Sequence, residues 1–258
     1  GVAWATVASQ GESMAAVLVL LARSKTAVRL HLSRLVITPH LLSKMLRMGL
    51  PAGIQATFYC LSNIIIQAAI NAFGTTTIAA WAAYGKIDAV FWTVVSTMGV
   101  AVTTFSGQNY GARKYDRLKK CMWQSMLMTL LLTVFCTLLF WFTGAKIFRL
   151  FTTDSQVLAQ GMRILRFLAP WWITYVSIEV LSGIIRGAGD TFIPMVITLF
   201  CVCVLRLVWL FTAAPHWNDI LAVLACYPLT WTLTSILFWG YWQSGRWLHK
   251  APAPLLQH

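Results

Sequence analysis

Apolar residues gather into seven long stretches along the 258-residue chain, at about 1–22, 48–73, 78–106, 121–142, 161–185, 194–214 and 221–242. Each is close to the roughly 20 helical residues needed to cross a hydrocarbon layer about 30 Å thick. The runs are too long and too continuously apolar for the alternating strands of a membrane barrel. In lipid every backbone polar group must be bonded within its own segment, so the pattern predicts helices. The expected fold class is an all-α integral membrane protein with seven transmembrane helices.

Polar residues between the runs set an orientation. Residues 107–120 hold Arg113, Lys114, Arg117, Lys119 and Lys120 against the single acid Asp116, which marks a loop on the cytoplasmic side. Residues 23–48 form a basic connector carrying Arg23, Lys25, Arg29, Arg34, Lys44 and Arg47 with no acid. Leu30, Leu32, Leu35, Val36 and Ile37 give it either an amphipathic piece on the inner membrane surface or a solvated linker. Alternation places residues 143–168 outside, where Lys146, Arg149, Arg163 and Arg166 oppose the charge rule. The balance still favours the orientation, with fourteen basic residues inside against four outside. The basic residues come after the first apolar run and do not precede it, so residues 1–22 read as a span and not as a secretory signal.

Composition agrees with a membrane protein. Hydrophobic residues make up 59% of the chain and charged residues 10%, where a soluble domain carries about 25% charged. The net charge of +13 could suggest nucleic acid, but its carriers flank apolar runs, so membrane lipid is the expected partner and nucleic acid is not. The six cysteines lie within spans and have no metal-ligand spacing with the histidines. They read as small packing residues, with no metal and no cofactor expected. No nucleophile elbow, zinc-protease helix or phosphate loop is present, so the chain is not expected to be an enzyme.

Polar groups inside the spans are the candidate functional residues. Gln55, Tyr59, Asn63 and Gln67 recur every four residues and should form one polar stripe on the second helix. Gly49 and Gly53 form a GxxxG pair expected to pack against a helix. Lys86 and Asp88, two residues apart, point to different faces of the third helix and either meet a cavity or snorkel to an interface. Pro170 should bend the fifth helix ahead of Trp171, Trp172, Tyr175 and Glu179. Glu179, about 10 Å inward from Arg186, is the leading candidate, because buried acids in spans usually face a cavity or a partner. Arg206 lies near the middle of the sixth helix. Tyr59, Trp81, Trp92, Trp171 and Trp172 offer either a stacking platform for a planar ring or ordinary packing.

Four loop motifs then point to a family. Gly49-Leu50-Pro51 opens a span. Gly107-Gln108 with Tyr110-Gly111-Ala112 comes after the next. Leu150-Phe151-Thr152 with Asp154 lies in the outer loop, and Arg186-Gly187-Ala188-Gly189-Asp190-Thr191 with Pro194 lies in the next inner one. In this order and spacing the chain resembles the multidrug and toxic compound extrusion (MATE) family of secondary transporters over about residues 49–242.

The resemblance implies a domain plan. Residues 49–244 would be the six-helix C-terminal lobe of a two-lobe transporter, and residues 1–22 the last helix of the N-terminal lobe. Residues 23–48 would be the cytoplasmic interlobe connector and 245–258 a cytoplasmic tail, with the remaining N-terminal lobe as a missing partner. It also implies antiport in the bacterial inner membrane, a proton or sodium ion entering as a small organic solute such as a drug or a flavin leaves. Sodium-coupled members carry an acid on the first helix of this lobe, where this chain has Gln55, Tyr59, Asn63 and Gln67. Two other readings are an inactive remnant of a truncated transporter and a seven-helix receptor or sensor.

Overall fold

The computed structural model describes residues 2–24 and 36–250, whose regular secondary structure is helical, with no strand among the described residues. Seven helical segments among the described residues are long and apolar enough to cross a membrane. The reading of residues 25–35 as an amphipathic or solvated connector, and of 251–258 as a tail, lies outside the described residues. The chain divides between Leu46 and Arg47 into a short and a large unit. The short unit holds α1 (Val2–Arg23), whose one charged residue before Arg23 is Glu12.

The second span begins earlier than its apolar pattern suggests. Helix α2 runs over Pro39–Asn71, because Pro39 suits a first helical position, where no amide hydrogen is needed. Pro51 is therefore an interior residue and not a helix starter. A Cβ added to Gly49 or Gly53 would meet nothing within 4 Å, so this pair does not pack a helix in the structure.

The basic loop is shorter than expected. Helix α3 (Thr75–Gly111) and helix α4 (Tyr115–Phe148) leave three residues between them. Gly107, Asn109 and Gly111 stay helical, Asn109 by donating its side-chain amide to the Phe105 carbonyl at 2.8 Å. Reversal falls instead on Arg113, at φ 57°, with the Arg113 amide donating to Tyr110 O and the Lys114 amide to Asn109 O. At 37 residues, α3 is about 55 Å long, so its ends pass beyond the hydrocarbon layer.

The region with the ambiguous charge, 143–168, is mostly helix. Helix α5 (Ser155–Leu168) is capped by Asp154, whose Oδ1 accepts from the Gln156 amide at 2.8 Å. Arg163 pairs with Asp219, and the Arg166 guanidinium lies 5.9 Å from the Trp141 ring centre. Pro170 interrupts the span with a 3-10 turn, Ala169–Trp171, before α6 (Trp172–Gly187). The Ala169 carbonyl, which accepts from the Trp172 amide, also accepts from Thr137 Oγ1 at 3.3 Å. The sixth span comprises α7 (Phe192–Thr198), a π-helical segment (Leu199–Val204) and α8 (Leu205–Thr212). The seventh comprises α9 (Ile220–Leu224) and α10 (Cys226–Gln243), followed by α11 (Trp247–Lys250). Five cysteines pack inside the bundle, while Cys60 is exposed.

Helices α3 and α6 form the closest seam. A Cβ at Gly187 would lie 2.5 Å from Thr103 O and 3.0 Å from the Gly107 amide, and one at Gly183 would lie 3.2 Å from Gly99 O. A side chain at Gly187 would collide with the facing backbone, whereas one at Gly183 would need a shift of only a few tenths of an ångström. This is the small-residue packing common between membrane helices. The contact brings the Gly107 and Gly187 motifs to the same end of the bundle. There Asp190 bonds two elements at once, Oδ1 accepting from the Ile193 amide at 3.3 Å and Oδ2 from Tyr241 Oη at 2.6 Å. Gly189 turns the chain at φ 95°.

The seam predicts that Gly187→Ala lowers stability in detergent by about 1–3 kcal/mol, the cost of overpacking. Gly111→Ala, where an added Cβ meets nothing within 4 Å, should stay within about 0.5 kcal/mol of the parent. Tryptophan-fluorescence melts of both variants check the difference. Tyr241→Phe removes the hydroxyl donor to buried Asp190 and should cost about 1–3 kcal/mol in the same assay.

Candidate functional site

The polar stripe on α2 faces one side of α3 across a cavity of about 690 Å³. The α3 wall is a single helical face, Trp81, Tyr84, Asp88, Trp92 and Ser96, set three or four residues apart. Gly85 on the same face adds no side chain, and a Cβ there would enter open space. Tyr59, Asn63 and Gln67 come from α2, Tyr175 from α6, and Tyr227 and Trp231 from α10.

The rings support one another in a chain of edge and tilted contacts. Trp81 stacks on Tyr84 at 5.2 Å and meets Tyr227 at 6.2 Å. Tyr227 meets Trp231 at 5.4 Å, Trp231 meets Trp92 at 6.1 Å, and Trp92 meets Tyr175 edge-on at 4.5 Å. Offset and edge-to-face pairs of this kind hold ring orientation beyond simple burial. The result is an aromatic wall interleaved with the polar groups of Asn63, Gln67, Asp88 and Ser96, and concave aromatic sites with placed polar groups suit small molecules.

Among the described residues Asp88 is the one carboxylate lining the cavity. Its Oδ1 accepts from Tyr84 Oη at 3.0 Å and its Oδ2 from Trp92 Nε1 at 2.7 Å. All three residues lie on α3 one turn apart, so the helix itself fixes the carboxylate. Both partners are neutral donors, and no basic side chain pairs with Asp88 among the described residues.

Arg206 lies behind the wall with none of its surface exposed. Its Nη1 donates to Asn63 Oδ1 at 3.1 Å, and its guanidinium carbon is 4.4 Å from the Tyr227 ring centre and 5.8 Å from that of Tyr59. The π-helical segment just before it widens one turn, and its Val202 carbonyl accepts from Ser62 Oγ at 3.5 Å. Wide turns of this kind shift the register of the residues C-terminal to them and recur at functional sites.

The structure therefore brings together Tyr59, Asn63, Gln67, Asp88 and Tyr175, with Arg206 directly behind them. Gln67 is also tied along its helix, donating to Asn71 Oδ1 at 2.8 Å. Gln55 and Lys86 are not part of the cavity wall, and Lys86 is exposed, on a different face from Asp88. Glu179 is outside it too. Its carboxylate packs against α3 at Gly99, where an added Cβ would overlap it, and lies 3.8 Å from the Arg186 guanidinium. Two of the five rings with stacking potential lie elsewhere, Trp171 being exposed and Trp172 buried under Phe91 at 4.2 Å. Tyr84, Tyr227 and Trp231 are wall residues that the apolar pattern does not single out, although Tyr84-Asp88-Trp92 and Tyr227-Trp231 repeat the four-residue spacing of the α2 stripe.

The motif glycines sit away from this cavity. Gly107 and Gly187 meet in the seam, while Gln108 and Gly111 are at the end of α3, with the Gln108 carbonyl accepting from the Ala112 amide. Among the described residues no cluster of three or more His, Cys, Asp or Glu residues could hold a metal ion.

Comparison with known proteins assigns the fold and its family. The chain is 25% identical over 264 residues to the probable multidrug resistance protein YoeA of Bacillus subtilis, matching all of this chain and 56% of that protein. It is 24% identical to the probable multidrug resistance protein YpnP of the same organism, over 79% of this chain and 45% of that protein. A crystal structure of MATE in complex with MaL6 superposes with a TM-score of 0.84 at 16% identity, over 96% of this chain and 57% of that one. An outward-facing multidrug resistance MATE family transporter of the MOP superfamily superposes with a TM-score of 0.78 at 17% identity, over 90% and 52%. The chain thus spans about half the length of the relatives it matches. With residues 51–212 matching the MatE family profile, the stretch from the second half of α2 through α8 falls within it, and the chain belongs to the MatE family.

Proposed function

We propose that this chain supplies one lobe of a proton-coupled antiporter that exports planar organic solutes, with the α2–α3–α10 cavity as its solute site. The observation that carries the reading is the aromatic cavity with a single carboxylate, Asp88, held by two neutral donors. Rings set edge-on and tilted offer flat faces to a conjugated solute, a class that includes aromatic drugs and flavins. The names of the relatives, probable multidrug resistance proteins, support a drug-like substrate.

Asp88 is the proposed coupling group. A charged carboxylate within the membrane costs a few kcal/mol unless it is neutralised or paired, and Asp88 has no basic partner among the described residues. A proton removes that cost; so does a solute that supplies compensating contacts. Whichever is bound shifts the stability of the two access states, and alternation of the two gives exchange. A proton is favoured over sodium because one carboxylate with two donors offers a metal ion few oxygen ligands.

In this reading the end of the bundle carrying Gly107 and Gly187 faces the cytoplasm of a bacterial inner membrane, as the basic residues 113–120 suggest. Residues 1–22 close an N-terminal lobe that the transporter needs for alternating access.

The test uses everted vesicles from cells that express the chain together with an N-terminal MATE lobe. Solute-induced proton release should be present in the parent, fall at least tenfold in Asp88→Asn and be partly retained in Asp88→Glu. Proton release unchanged in Asp88→Asn would remove Asp88 from the coupling role.

A further inference from the structure

Arg206 is harder to explain than any other side chain in the bundle. A guanidinium carries five N–H donors and stays charged in proteins. Here it is fully buried in a membrane-spanning segment, and it has no carboxylate partner among the described residues. Asn63 accepts from Nη1, while Nε and Nη2 have no hydrogen-bond partner. The rings of Tyr227 and Tyr59 offset part of the cost through their electron-rich faces. The Tyr59 hydroxyl also interacts with the guanidinium, yet neither Nε nor Nη2 closes a hydrogen bond.

The residues that cover this cation are the ones that form the cavity wall. Tyr59, Asn63 and Tyr227 each touch Arg206 and each line the cavity. Asn63 is neutral, so it leaves the charge uncompensated, and it is the one of the three that holds Arg206 through a side-chain amide on the cavity wall. The π-helical turn at Leu199–Val204 sets the register that places Arg206 behind this wall.

Building on the reading of the cavity as a solute site, we infer that Arg206 is the recognition group for an acidic substituent, a carboxylate or phosphate, on the exported aromatic solute. The solute's ring lies among Trp81, Trp92 and Tyr227, its acid displaces the Asn63 amide, and the guanidinium fork donates to it in two parallel bonds. Asp88 stands apart on α3 with its own donors and takes no part in holding the acid.

Equilibrium binding to the full chain in lipid nanodiscs tests this with three probes that share one ring: anthracene-9-carboxylate, anthracene-9-methanol and 9-aminomethylanthracene. The carboxylate should bind at least about tenfold more tightly than the alcohol, the scale of a charge-assisted contact. Arg206→Lys should keep part of that preference and Arg206→Gln should abolish it. Because Arg206→Gln alters a buried site, Asn63→Asp is the second variant. It gives Arg206 an internal carboxylate, so it should fold at least as well as the parent yet bind the acid and the alcohol equally. Carboxylate preference surviving in Asn63→Asp, or tightest binding of the ammonium probe, would overturn the assignment while leaving the cavity as an aromatic site. Failure of all three probes to bind would instead count against the solute-site reading itself.

Discussion

The contact between the backbones of α3 and α6 is the constraint on which the rest of the bundle depends. In lipid there is little hydrophobic gain in burying one apolar side chain against another, so helices associate where they can approach most closely. Gly99, Gly183 and Gly187 permit that approach, and the Thr103 carbonyl occupies the space a side chain at Gly187 would need. Once the two helices touch there, the faces of α3 are assigned. One carries Gly99, Thr103 and Gly107 into the seam. An adjoining one, nearer the N-terminus of the helix, carries Tyr84, Asp88 and Trp92 toward α2 and α10.

The cavity is a consequence of that assignment. Its polar groups sit on helical stripes, so neighbouring turns position one another: Tyr84 and Trp92 fix Asp88, and Gln67 is tied to Asn71. Arg206 reaches the same region from the opposite part of the sequence, across the widened turn that precedes it. An acidic and a basic side chain thus lie at one aromatic cavity, Asp88 on its wall and Arg206 behind it, without pairing with each other, and burying both carries a desolvation cost.

Much of the fold is legible in the amino-acid pattern. Seven apolar runs predict seven spans, and the repeat of Gln55, Tyr59, Asn63 and Gln67 marks the α2 stripe, three of whose members reach the cavity. Helix ends are less legible, because Asn109 and Gly111 look like turn formers yet remain helical while Arg113 makes the reversal. Glu179 illustrates a different gap. Its depth in the span and its charge single it out, but whether it faces a cavity depends on which side of α6 meets α3, a tertiary fact decided by Gly99 on another helix. The facing of Arg206 likewise depends on the wide turn before it, since a shift of one residue turns a helical side chain by about 100°.

The seam itself can be tested by a cross-link. Thr103 Oγ1 lies 3.2 Å from where a Gly183 Cβ would stand, close to the sulfur-to-Cβ spacing within a disulfide. In a background lacking the six native cysteines, Thr103→Cys with Gly183→Cys should oxidise to a bond that holds the two halves together after proteolysis between α4 and α5. Thr104→Cys with Gly183→Cys should not. Fragments that separate for the first pair, or that stay joined equally for both, would contradict the placement of α3 against α6.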